Sequence, residues 1–314
     1  MVDPNPGDDG TDGVSTEARG AGLLVPPVDR VHDVDVDPDR AGFRTTAGSD
    51  AYVSSTAAES DRIDDLETSI SAMEYVDRVA ELALEDVEAA GDRIGDLLVF
   101  VTDGDEQVRS AASETIEWIG HRDRSELLVW ADDFAELADD PQYDRSFVGL
   151  RSLAQLAPEN ERAAAKGLTA ALSRLGVERI DVRTAAISLV AEAGPERIDR
   201  VAPADRSIAD ALDADSPRVR TVAAIAAGKL LAADPHRFPR TIDRLAGSLD
   251  DTDETARAYA HVALVNFAIE QPDTVPDKPA AIEALEATSD EELGLTCGTV
   301  DRAIASLAKS VAGI

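Results

Sequence analysis

Four six-residue segments of this chain recur at a constant step of 37 residues. They are Asp181-Val182-Arg183-Thr184-Ala185-Ala186, Arg218-Val219-Arg220-Thr221-Val222-Ala223, Thr255-Ala256-Arg257-Ala258-Tyr259-Ala260 and Glu292-Leu293-Gly294-Leu295-Thr296-Cys297. A step of about 20 to 50 residues marks an array whose units cannot bury their apolar faces alone and do so by stacking. Two further copies lie upstream at less regular spacing, Gln107-Val108-Arg109-Ser110-Ala111-Ala112 and Gly149-Leu150-Arg151-Ser152-Leu153-Ala154. The residue three places after the arginine position is small in all of them: Ala112, Ala154, Ala186, Ala223, Ala260 and Cys297. That predicts a place where two helices approach closely, and a packed thiol at Cys297. The segment before each copy repeats as well, with Ile208, Leu245 and Ile282 again 37 residues apart.

Local signals place these segments on helices. Ser216-Pro217 puts a capping residue ahead of a proline suited to the first helical turn. Asp105, Asp253 and Asp290 stand at comparable starts, where a carboxylate favours the helix dipole. Upstream, Ile63, Leu66, Ile70, Met73, Val76, Ala80, Ala83 and Val87 recur at spacings of three and four, one apolar stripe that Gly91 can end. Residues 58–91 are therefore expected to form one or two helices capping an array over 92–314. Residues 1–57 are rich in Asp, Gly, Pro, Ser and Thr, and cannot bury enough surface to offset ordering. They are expected to be a disordered acidic tail, with Leu23 to Val28 as a possible docking peptide and Val31 to Val36 alternating like a short strand.

The six copies together resemble the HEAT family, whose second helix opens with Asp, a short spacer, Val-Arg, two residues and Ala. The resemblance implies an all-α fold, an α-solenoid of about six HEAT-like helix pairs. It also implies that Arg109, Arg151, Arg183, Arg220 and Arg257 form a structural ladder bonding one repeat to the next. Departures are Gly294 at an arginine position and a short step between Arg151 and Arg183. HEAT-like proteins include phycobilisome lyases, which attach or detach bilins, and glycosylases that act on alkylated DNA bases.

Charge narrows the function. The chain carries 63 acidic against 30 basic residues, a formal charge of -33, and its basic residues are 26 Arg and only 4 Lys. Such a surface is similar to those of salt-adapted (halophilic) proteins, for which a Debye length of about 3 Å at 1 M salt makes the charge tolerable. It argues against broad nucleic-acid binding, which needs a positive field. The single Cys297 excludes an intrachain disulfide and a cysteine-built metal site. The start has neither the basic region nor the apolar core of a signal peptide, and no uncharged apolar run approaches the roughly 20 residues of a membrane span. A cytoplasmic protein is expected.

No residue pattern points to catalysis. His32, His121, His236 and His261 form no metal-binding pair at helical spacing, so neither metal nor cofactor is expected. Trp118 and Trp130 are read as packing for the first two repeats rather than as base-flanking rings. The expected function is a non-catalytic scaffold that binds another protein, identity unknown, on the concave face; self-association is a further possibility, and no membrane is involved. The site is placed on the C-terminal repeats, because no formally charged residue lies between Arg257 and Glu270. The opposite face of that helix would hold Ala258, Val262, Val265 and Ile269, with Thr221 and Ile225 in the preceding repeat and Leu295 in the next. An exposed strip of this kind marks an interaction site. The alternatives are an accessory factor of the bilin-lyase type or a DNA glycosylase.

Overall fold

The structure, a computed structural model, describes residues 71–102 and 105–313, and among these it contains helices and no strand. The expectations for residues 1–57, docking peptide 23–28 included, lie outside the described residues, as does the start of the 58–91 segment.

Two helices, α1 (Ala72–Glu85) and α2 (Val87–Gly91), precede six helix pairs. The pairs are α3 (Ile94–Phe100) with α4 (Glu106–Arg122), α5 (Ala131–Asp139) with α6 (Tyr143–Leu156), and then α8 (Leu168–Arg174) with α9 (Ile180–Ala193). They continue as α11 (Asp205–Leu212) with α12 (Pro217–Ala233), α13 (Pro239–Ser248) with α14 (Glu254–Glu270), and α15 (Lys278–Glu286) with α16 (Thr299–Ala312). The short helices α7 (Glu161–Ala164) and α10 (Ile198–Val201) lead into the third and fourth pairs. The chain is an α-solenoid of stacked helix pairs, built on one continuous core from Tyr75 to Leu307.

The period is more regular than the motifs suggest. The residues capping α4, α6, α9, α12 and α14 are Asp105, Gln142, Arg179, Ser216 and Asp253, each 37 residues after the last. The first helices keep the same phase through Leu97, Phe134, Ala171, Ile208, Leu245 and Ile282, all packed in the core. This register corrects the alignment of the second repeat. Ser146, not Arg151, holds the arginine position, and Gly149, not Ala154, holds the small position. Ser146 is fully buried, donates to Ala138 O at 2.9 Å and accepts from Arg174 Nε at 2.6 Å. Arg174 comes from the next repeat and fills the room that a local arginine would take. A methyl built on Gly149 would fall 2.8 Å from Ala138 Cα, and closer still to Phe134 O, so α6 crosses α5 backbone against backbone.

The last repeat departs from the others. Asp290 is in phase as a cap, yet α16 begins only at Thr299, after a turn through Gly298 at φ +83°. The Asp290 carboxylate accepts from Gly298 N at 2.6 Å and Val300 N at 2.8 Å, so it holds the helix start from a distance. Cys297 therefore lies exposed in that turn and is not the packed thiol expected. Ser216 does cap α12, but its side chain makes no capping hydrogen bond.

Consecutive second helices pack on one another from α1 and α4 through to α14 and α16, whereas first helices pack to a similar extent only between α11 and α13. The layer with the closer spacing lies inside the arc. The second helices, with α1 among them, thus line the concave face.

Candidate interaction surface

Each second helix turns one side to its partner helix and two flanks to its neighbours, leaving one stripe for the concave face. On α4 that stripe is Gln107, Ser110, Glu114, Trp118 and His121, at helical spacings of three and four, and all five are exposed. Stepping along the array from Glu114 gives Arg151, Ser188, Ile225, Val262 and Thr299, and every one is buried. Stepping from Trp118, which is 43% exposed, gives Gln155, Glu192, Lys229 and Asn266, of which Gln155 and Asn266 are buried. Lys229 and Glu192 close on each other at 2.6 Å. The floor of the groove is open at α1 and α4 and sealed beyond them.

This corrects the expected C-terminal strip. Thr221, Ile225, Val262 and Val265 are buried, Val262 at 4% and Val265 at 0% exposure, while Ala258, Ile269 and Leu295 are half-buried against the core. The cause is the width of the floor rather than the choice of face. A methyl on Gly228 would stand 2.9 Å from Ala263 Cα, so α12 and α14 approach almost to backbone contact and close over the side chains between them.

The arginines have several roles. Arg220 grips Asp251, with Nε to Oδ2 at 2.6 Å and Nη2 to Oδ1 at 2.8 Å, and also donates from Nη1 to Ala214 O at 2.8 Å. Arg257 donates to Asp251 O at 2.7 Å, and Arg109 stands 3.9 Å from Asp144 of the next repeat. Arg183 has a buried Nε with no hydrogen-bond partner, and the place equivalent to Asp251 in its repeat is Ala214. Arg151 lies off this column, on the concave floor at 6% exposure, where Nε and Nη2 donate to Glu117 Oε1 at 2.9 and 2.6 Å. Burial would raise the Glu117 carboxyl, but the hydrogen bond with His121 and the charge of Arg151 outweigh it and hold the group at about 2.

Trp130 packs as expected, against Gly95, whereas Trp118 stands open to the groove. His261 is buried with Nδ1 2.9 Å from Arg257 O, and His236 is exposed on a turn; His32 lies outside the described residues. No group of three or more His, Cys, Asp or Glu among the described residues is placed to hold a metal ion. No helix among them is long and apolar enough to cross a membrane.

No family model matches the chain, and no curated protein matches it in sequence. Several solved structures are similar. An engineered protein matches with a TM-score of 0.61 at 19% identity, over 80% of this chain and 69% of that one. A designed armadillo repeat protein in complex with the peptide (KR)4 matches with a TM-score of 0.54 at 18% identity, over 68% of this chain and 98% of that one. An archaeal HEAT-like repeats protein from Thermococcus onnurineus NA1 covers 83% of this chain and 100% of its own length at 14% identity, with a TM-score of 0.48. These likenesses are of fold.

Proposed function

We propose that this chain is a non-catalytic scaffold that holds another protein on its concave face, at the N-terminal end of the groove. The observation that carries the reading is the open stripe of α4, where a large aromatic ring stands in solvent while the same position is closed in the repeats that follow. Solenoids offer extended inner surfaces of this kind, and a similar fold, the designed armadillo protein, is in complex with a peptide. A nucleic-acid partner is disfavoured because the open end of the groove carries exposed carboxylates, Glu114 on α4 and Asp77 and Glu81 on α1. We read the acidic surface as an adaptation to a salt-rich cytoplasm, and the chain as a tail over 1–57, a cap over 58–91 and an array from 92.

A photo-crosslinking residue at Gln107, on the open stripe, tests the site against the same residue at Glu136, which is exposed on a first helix. Protein adducts are expected from position 107 and not from 136 in a molar-salt extract. Equal yields at the two positions would refute a concave site.

A further inference from the structure

We propose that the open end of the groove recognises a cationic side chain, an arginine or lysine presented by an extended segment of the partner, on the face of Trp118. This deepens the scaffold reading and rests on it.

The chain supplies its own template. Among the described residues the exposed aromatic rings are Trp118 and Tyr143, both 43% exposed. The Arg179 guanidinium covers Tyr143, 5.9 Å from the ring centroid, and carboxylates on either side fix it: Asp144 at 2.9 Å and Asp181 at 2.7 Å. Ring, guanidinium and two carboxylates form one unit, with the cation on the electron-rich face and its charge balanced in plane.

Trp118 offers a ring and carboxylates of the same kinds, with no cation over the ring among the described residues. Glu114 lies one turn back on α4, its carboxylate tied to Ser110 Oγ at 3.2 Å. Across the groove floor α1 packs on α4, and Asp77 and Glu81 of α1 stand 37 residues before Glu114 and Trp118 of α4. All three carboxylates are exposed, and no cation pairs with them among the described residues. The cations nearby are engaged elsewhere: Arg78 with Glu74 at 3.1 Å, and Arg122, one turn past the indole, with Leu84 O at 3.2 Å. Deeper in the groove each carboxylate on the floor has an internal partner, Glu117 with Arg151 and Glu192 with Lys229. The unpaired carboxylates of the concave floor thus lie on α1 and α4, and α4 carries the exposed indole. Leu84, exposed at the end of α1, adds an apolar edge for the stem of a long side chain.

The test uses the full-length protein and a fluorescein-labelled (KR)4 peptide, read by anisotropy in 0.5 M KCl. A neutral (SQ)4 peptide is the control, and far-UV circular dichroism verifies that each variant is folded. Binding of (KR)4 and not of (SQ)4 is expected. Trp118→Ala is expected to weaken it about tenfold, and Glu81→Gln with Glu114→Gln by at least as much. Asp133→Asn with Glu136→Gln, which removes equal charge from exposed positions of α5, is expected to leave it unchanged. Absence of (KR)4 binding, binding insensitive to Trp118→Ala, or equal losses from both charge pairs would overturn the proposal. Crosslinking from Gln107 leaves the proposed ring and carboxylates intact. Adducts there, with no dependence of (KR)4 binding on Trp118, would leave the scaffold standing and remove only the cation.

Discussion

Replacing Gly149 by alanine tests the register on which the whole reading depends. In an isolated helix the change is favourable by about 1 kcal/mol, and alanine is the residue found at this position in four other repeats, Ala112, Ala186, Ala223 and Ala260. The structure predicts the opposite sign. The added methyl would stand 2.8 Å from Ala138 Cα, and nearer to two backbone atoms of α5, where ordinary contact begins at 3.4 Å. No side chain can yield there, so α5 must move away from α6 by about 1 Å, or the helices must separate along their length. Overpacking of this kind costs roughly 1–3 kcal/mol, which offsets the propensity gain of about 1 kcal/mol and leaves a net loss of up to about 2 kcal/mol. The matched control is Gly247→Ala on α13, where nothing lies within 4 Å and only the propensity gain operates. Thermal unfolding followed at 222 nm in 2 M KCl is expected to move down for Gly149→Ala and to stay level or rise for Gly247→Ala. A midpoint at or above the parent for Gly149→Ala would refute the close crossing, and with it the placement of Gly149 in the small-residue column.

Three further outcomes follow from burial and charge. Val265→Asp places a carboxylate at a site with no exposure, at a cost of several kcal/mol, so the helical signal at 222 nm is expected to collapse; a folded variant would mean that the C-terminal strip is open after all. Glu117 is held at about 2 against 4.5 in an unfolded chain, so its contribution, roughly 3 kcal/mol at most, is full above pH 4.5 and fades as pH falls toward 2. The stability gap between the parent and Glu117→Gln is therefore expected to narrow over that window, and a gap constant between pH 5 and pH 2.5 would count against the Arg151 and His121 pairing. Because 63 acidic residues face 30 basic ones, unscreened repulsion loosens the fold at low salt, and the melting midpoint is expected to rise between 0.1 M and 2 M KCl; equal midpoints would contradict the salt-adapted reading.

The class of fold was legible because repetition is a global property. A single Val-Arg pair is weak, but a 37-residue phase kept by the first helices of all six pairs and by the caps of five second helices cannot arise from local chance. The second repeat shows where that legibility ended. Its arginine is replaced by Ser146 and its cap is Gln142, a residue with no strong capping preference, so the motif fell on Leu150-Arg151 instead. The apolar column of the first helices carried the true register without interruption, Leu97 and Phe134 included, because it answers to core packing rather than to a surface ion pair. Cys297 was misplaced for a related reason: the phase of the repeat continues to Asp290, but the helix it should begin starts only at Thr299.

The site was harder to read than the fold, because a helical pattern gives the direction of a side chain and not the distance to the next helix. Thr221, Ile225, Val262 and Val265 do follow the concave line. Whether such a line is a surface depends on how nearly two helices meet, and here that is decided by Gly228 and Ala263, residues in different repeats whose contact no periodicity displays. At the other end of the array the logic reverses. An all-apolar helix signals burial, so a face that must stay open to bind carries charge along with its aromatic ring. The mixed stripe of α4, with Glu114 and Trp118 one turn apart, has that composition, and the uncharged stretch of α14 has the composition of a core.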